Sequence, residues 1–142
     1  MRRAFSVAIF IVNMDEVLLI KHKRLGLWVP IGGEVEKNET PLEAARRETM
    51  EETGLRLIFP KFKNALDGEP PGFLGYEEHP CGDKGTHLNF NFMAYAASRD
   101  IKSDGSFTEH QWRMPGDLIF DTTPNVQQCM IRVQRELIEK RH

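Results

Sequence analysis

The spacing of apolar and polar residues changes several times along this chain, and each change predicts an element. Phe5 to Val12 is a nearly continuous apolar run, and Val17 to Ile20 repeats the pattern within Glu16 to His22. Both segments read as strands, and the turn-like residues Asn13, Met14 and Asp15 between them predict a hairpin. "LGLWVPIGG" follows as a short extended piece broken by Pro30, Gly32 and Gly33. A helix is then predicted over Pro41 to Thr53. Thr40 is a good N-cap, Pro41 suits the first helical position, Glu43 completes a capping box, and Gly54 sits where a C′ glycine ends a helix.

Arg56 to Ala65 reads as a returning strand. Asp67 to Gly85 is rich in glycine and proline and reads as a long loop, of the kind compact domains keep for function. "HLNFNFMAYA" alternates clearly. Leu88, Phe90, Phe92, Ala94 and Ala96 share one face, with His87, Asn89, Asn91 and Tyr95 on the other. Gln111 to Met114 reads as one more short strand. Pro124 to Lys140 reads as a helix whose Val126, Met130, Val133 and Leu137 form a core-facing stripe, with Lys140 and Arg141 complementing the dipole. Strands, helix, strands, helix predict an α/β fold with a mixed sheet between helices.

The first helix holds an anomaly. At about 100° per residue, Leu42, Ala45 and Thr49 fall on one side with Thr53 nearby, a modest core face. Ala44, Glu48, Glu51 and Glu52 fall within another arc. The pairs Glu48–Glu52 and Glu48–Glu51 are neighbours on the helix surface, and each like-charge pair costs a few tenths of a kcal/mol. Carboxylates in the last turn also oppose the helix dipole, by roughly 0.3–1 kcal/mol each. A cation among the oxygens removes the conflict. Carboxylates with little nitrogen or sulfur nearby suit a hard ion such as Mg²⁺ or Mn²⁺. The bland reading is a solvated acidic face balanced by Arg46 and Arg47. The preceding double glycine, which permits close approach of a ligand, and three further carboxylates in Glu34 to Glu39 weigh against it.

Composition narrows the partners. The chain has 142 residues, a formal net charge of -2 and 28% charged residues, the profile of one globular domain spanning 1–142. No basic excess suggests a grip on duplex nucleic acid, although a local site can still hold a small anion. Cys81 and Cys129 lack metal-motif spacing and read as free thiols of a reducing compartment, the cytoplasm. The apolar N-terminal run after Arg2 and Arg3 is too short to span a bilayer and lacks a cleavage-site pattern, so a buried first strand explains it better than a signal peptide.

Gly33, five residues, Glu39, seven residues, Arg47-Glu48, then Glu51-Glu52-x-Gly54-Leu55 resembles the Nudix box, with its spacing matched throughout. One position departs: where the family usually has an aliphatic residue after Arg-Glu, this chain has Thr49. Its hydroxyl can bond back along the helix, so a small stability cost and no loss of ligands are expected. The resemblance implies the Nudix α/β/α sandwich and a divalent-metal-dependent hydrolase of small phosphorylated nucleotides. It implies Glu48, Glu51, Glu52 and the Gly32 carbonyl as metal ligands, and Arg47 and Glu39 as supports that hold the loop against the helix. The base that activates water is implied to be Glu51 or Glu52, or an acid on a later loop, for which Glu109 is preferred over Asp100 and Asp104.

The substrate is expected beside the helix, lined by the long loop. Trp28, Phe73 and Tyr76 are candidates for stacking a nucleobase, although Trp28 and Trp112 also fit a core. Lys23, within "KHKR", and His87 are candidates to approach phosphate, and each has an ordinary surface or structural reading. Pro70 in "EPPG" matches an offset described for ADP-ribose-hydrolysing relatives and is equally a turn proline.

The reaction implied is hydrolysis of a phosphoanhydride in a nucleoside diphosphate linked to some group X, of nucleotide-sugar or ADP-ribose type. The alternatives are cleavage of a nucleoside triphosphate or an RNA 5′ end, and a non-catalytic nucleotide-sensing module, for which the complete set of box carboxylates is unfavourable. Many relatives dimerise, so a homodimer is compatible with this reading.

Overall fold

A computed structural model describes residues 1–140. Arg141, assigned above to the end of the second helix, lies outside them. Eleven elements follow one another: β1 (Arg3–Asn13), β2 (Glu16–Lys21), β3 (Trp28–Val29), β4 (Ile31–Glu34), α1 (Pro41–Thr53), β5 (Leu57–Ile58), β6 (Phe73–Pro80), a 3-10 turn (Gly82–Lys84), β7 (Thr86–Ala96), β8 (His110–Arg113) and α2 (Pro124–Lys140).

The eight strands form one mixed sheet. β1 lies at its centre because nearly all of it is apolar on both faces. It runs parallel to β7, from Arg3 beside Thr86 to Val12 beside Tyr95. On its other edge β4 pairs antiparallel with Ser6 to Ile9 and β2 with Val12 and Asn13. The β1–β2 connection is a two-residue turn with Met14 at φ 51° and Asp15 at φ 64°. That is the turn whose twist matches paired strands, and it fixes the hairpin register.

Side-chain alternation splits the core into two layers. Val7, Ile9, Ile11, Leu18, Phe92 and Ala94 face α1, where Ala44 and Ala45 meet them. Phe10, Val12, Val17, Leu19 and Met93 face α2 through Val126, Cys129, Met130, Val133 and Leu137. Both helices occupy the predicted residues, and α1 closes with Gly54 at φ 76° after a complete Thr40–Glu43 capping box.

Two expectations fail. The strand predicted from Arg56 to Ala65 is only Leu57–Ile58, because Pro60 cannot donate to a ladder. The predicted loop Asp67 to Gly85 instead contains β6, an edge strand on β7 with a register shift between Phe73 and Gly75. Only Leu74 in it is buried, so no periodicity announced it.

Candidate active site

The site forms where β4 ends and α1 answers it. Pairing of β4 with β1 sets Gly33 opposite Val7 and Gly32 opposite Ala8. A Cβ on Gly32 would collide with the Val7 carbonyl oxygen. A Cβ on Gly33 would sit 2.5 and 2.6 Å from the two carboxylate oxygens of Glu48. The first glycine lets two backbones approach, and the second leaves a cradle for a carboxylate.

Arg47 locks the loop between β4 and α1. Its guanidinium grips Glu39 with two hydrogen bonds, Nε to Oε2 at 2.7 Å and Nη2 to Oε1 at 3.0 Å. It also donates to the Glu34 carbonyl at 3.0 Å and to Glu48 Oε1 at 2.8 Å. A longer contact reaches Glu51 at 3.3 Å. Paired charges in a fork geometry are the strong class of hydrogen bond. Glu39 holds the guanidinium protonated beyond its ordinary range, with Glu48 adding to the effect. Glu39 also caps the Glu36 amide at 2.9 Å.

The three helix carboxylates differ in setting. The Glu51 side chain is 54% exposed and the Glu48 side chain 16%. Glu52 is 7% exposed, and its Oε2 has no hydrogen-bond partner among the described residues. Burial pushes its carboxyl up to about 9, and a hydrogen bond to Glu48 with the charges of Glu48, Asp104 and Glu51 pushes the same way. A buried, partnerless carboxylate oxygen in a negative field costs free energy on its own. A hard divalent cation removes that cost, and the donor set, all oxygen, fits one. Burying the last-turn face of α1 around Glu52 has no architectural use, since Thr49 and Thr53 already fill the core side.

A family model for the NUDIX domain matches residues 2–92. The chain belongs to the Nudix family. A Bacillus subtilis (strain 168) protein provisionally named an 8-oxo-dGTP diphosphatase is 30% identical over 125 residues, covering 85% of this chain and 74% of that one. A NUDIX-family hydrolase from Clostridium perfringens superposes with a TM-score of 0.82 at 26% identity, covering 96% of this chain and 99% of the other. A C. elegans Ap4A hydrolase shares the fold alone, with a TM-score of 0.75 at 16% identity over 98% of this chain and 99% of that one. This Nudix protein is therefore a hydrolase acting on acid anhydrides, and hydrolases of this family act on small nucleotides and generally use a divalent metal.

The Thr49 departure from the Nudix box is absorbed as expected: its hydroxyl donates to the Ala45 carbonyl at 2.8 Å inside the core. Other expectations separate. Of the three loop carboxylates, Glu36 and Glu39 face Arg47. Glu34 pairs with Ser6 in the sheet, and its carboxylate is gripped by Arg2 at 2.5 Å and His87 at 3.0 Å. Arg2 first, then His87, hold it down at about 2. His87 is thus tied to Glu34 and to the Cys81 sulfur at 3.1 Å, not free to meet phosphate.

Phe73 packs on Phe90 and Phe92 at the margin of the core layer beneath α1, is partly buried, and borders a groove toward α2. Trp28 is half-buried against the layer beneath α2, with its carbonyl accepting from Thr122 at 2.5 Å. Tyr76 is exposed, rests on Phe90 and donates to Glu78 at 2.8 Å. Lys23 is exposed, on the connection after β2, and its charge is felt at Asp104. Glu109 is exposed and meets Lys21 Nζ at 3.5 Å, at the start of the pairing between β8 and β2.

Much of the long loop is β6. Its groove of about 520 Å³, bordered by Phe62, Glu69, Gly75, Arg132 and Glu136, opens toward α2, and no box carboxylate lines it. Asp104, passed over in favour of Glu109, is the later-loop acid whose charge reaches Glu52. A turn in which Asp104 accepts from the Ser106 amide at 2.9 Å holds it there. The D-x-S turn pattern was the only local signal for it. A polar cluster opposite α1 also went unread: Asn89, buried, bonds Ser6, Asn91 and Glu77, and Asn125 at the start of α2 donates to Glu77 at 2.6 Å.

Proposed function

We propose that this Nudix hydrolase cleaves, with Mg²⁺ or Mn²⁺, the phosphoanhydride bond of a nucleoside diphosphate linked to a further group X. The observation that carries the reading is Glu52: a buried carboxyl beside Glu48, pushed up to about 9, with one oxygen left without a partner among the described residues. In this reading Glu48, Glu51, Glu52 and the Gly32 carbonyl hold the cation. Bound there, the cation neutralises the diphosphate, acidifies water and stabilises the departing phosphate.

The chain's own residues do the rest. Arg47 positions Glu48 and ties the loop through Glu39, so the carboxylates need not reorganise during the reaction. Glu51, the most exposed of the three, is free to orient or deprotonate water. Glu52 is the alternative base within the box, and Asp104 and Glu109 are the alternatives outside it. Lys23 stands near Asp104 to balance an incoming phosphate. Trp28, Phe73 and Tyr76 are the aromatic candidates for the nucleobase. The free thiols Cys81 and Cys129 suit a reducing compartment such as the cytoplasm.

A second reading takes X as a further phosphate, making the substrate a nucleoside triphosphate. The Bacillus subtilis relative, provisionally named an 8-oxo-dGTP diphosphatase and matched over 85% of this chain, favours it. Pro70, whose offset matches the ADP-ribose type, sits in a turn whose carbonyl accepts from the Phe73 amide. A Mg²⁺-dependent panel of nucleotide sugars, ADP-ribose, ordinary and oxidised triphosphates and dinucleoside polyphosphates, with product identification, tests both. Release of a nucleoside monophosphate with X-phosphate supports the first reading. Release of pyrophosphate from triphosphates alone supports the second. Turnover of none of them with either metal would overturn both.

A further inference from the structure

The tip of the β6–β7 hairpin gathers three soft donors away from the box carboxylates. His79 and His87 face each other across the strands as a registered pair, with rings 5.6 Å apart. Cys81 follows the end of β6, where the hairpin closes through its amide to the Gly85 carbonyl at 2.7 Å. One donor atom from each of the three lies within 4.8 Å of the others, and all three residues are partly buried. Donors around one tetrahedral zinc stand about 3.3–3.8 Å apart, given bonds of about 2.0–2.3 Å. Small side-chain rotations therefore suffice.

The histidine is already oriented for this task. His87 Nε2 lies 3.0 Å from Glu34 Oε2. Arg2 grips the same carboxylate through two hydrogen bonds, which fixes it as an acceptor for the Nε2–H of His87. This leaves the Nδ1 lone pair directed at Cys81 Sγ, 3.1 Å away. A carboxylate behind a ligating imidazole is the usual outer partner of a zinc-bound histidine. His79 Nδ1 stands 3.5 Å from Glu77 Oε2, a similar support for the opposite ring.

We infer that His79, Cys81 and His87 form a binding site for a soft divalent cation, with Zn²⁺ as its best fit and a fourth position open to water. Thiolate and imidazole donors select zinc over the hard ions that suit carboxylates, so this site and the box do not compete for one metal. On binding, the Cys81 thiol proton leaves to solvent and sulfur takes the metal in its place. The ion clamps the hairpin tip to Glu34, the residue after Gly33, and so stiffens the corner of the sheet that carries the box.

The test uses the full chain with Mg²⁺ in excess and Zn²⁺ alone as the probe, measured against a chromogenic chelator. One equivalent is expected to bind, and Cys81→Ser and His87→Gln are each expected to weaken binding by at least about 100-fold. Glu52→Gln is expected to leave it unchanged. Co²⁺ in place of Zn²⁺ should give a sulfur-to-metal charge-transfer band, lost in Cys81→Ser. Wild-type affinity in both hairpin variants, or loss of the bound ion in Glu52→Gln, would overturn the inference. X-ray absorption on the zinc-loaded wild type does not depend on any variant folding. A shell containing one sulfur supports the site, and a shell of oxygen alone refutes it.

Discussion

The two helices cover opposite faces of one sheet and obey local rules to different degrees. α2 sets an unbroken apolar stripe, Val126, Cys129, Met130, Val133 and Leu137, against the sheet and ends on Lys140, a cation where the dipole favours one. α1 is capped at both ends, by Thr40 and Gly54, but has a thin apolar face of Ala44, Ala45, Thr49 and Thr53. Its last turn has no basic residue, and it buries Glu52. A helix that satisfies propensity, dipole and packing together is explained by the fold. One that satisfies its ends and violates its last turn is explained by something it binds.

Substitutions on the two helices should therefore fail in different ways. Glu52→Gln keeps the shape of the side chain and removes the charge, so turnover with Mg²⁺ should fall by roughly 100-fold or more, about 2.7 kcal/mol of barrier. The metal-free fold should be retained. Steady-state kinetics with circular dichroism check both, and wild-type turnover would remove Glu52 from the metal site. Met130→Ala on α2 should do the reverse. It should lose on the order of 3 kcal/mol of stability for a fully buried side chain, with the rate per folded molecule unchanged, read by urea unfolding and by activity below the midpoint.

Arg47→Ala mixes the two behaviours. Losing the Glu39, Glu48 and Glu34 contacts should cost on the order of 2 kcal/mol and lower turnover as well, because Glu48 loses its support. A drop in stability without a drop in rate would make Arg47 purely architectural.

The smallest effect is a pH dependence. Glu52 in the folded, metal-free protein holds its proton up to about 9, against an ordinary value of 4.5. Between those two values the unfolded chain releases a proton that the folded one keeps. This group's contribution is complete below 4.5 and is lost as pH rises toward 9. Thermal midpoints without metal should decline across that window, and Glu52→Gln should flatten the decline. Glu34 acts in the opposite direction. Its carboxyl is held down at about 2, so its contribution is present above 4.5 and is lost as pH falls toward 2.

The sequence carried α1 almost completely, because caps, glycine stop and carboxylate spacing are all local signals. α2 was as clear because its apolar stripe of Val126, Met130, Val133 and Leu137 is a local signal too. β6 was not, since a strand with one buried residue, a glycine at Gly75 and another just before it at Gly72 has no apolar period of its own. It becomes a strand only because β7 offers a free edge. Which way Glu34 points was equally hidden. Adjacent residues in a strand face opposite sides, and only the register of β4 on β1 decides that Gly33 looks at Glu48 and Glu34 away from it. Asp104 is distant in sequence from the box, so its reach to Glu52 depends on how the chain returns after β7. The aromatic candidates had no local signal to separate packing from stacking, and partly buried Phe73 does some of each, packing on Phe90 and Phe92 while bordering a groove.

The central claim is that the Glu52 carboxyl stays protonated only until a divalent cation takes the place of its proton. Titrating Mg²⁺ into the metal-free protein near pH 7, in buffers of different ionisation enthalpy, counts the protons released on binding. The account predicts a release approaching one proton per protein, abolished in Glu52→Gln. Tight Mg²⁺ binding with no proton release, unchanged by that substitution, would contradict it.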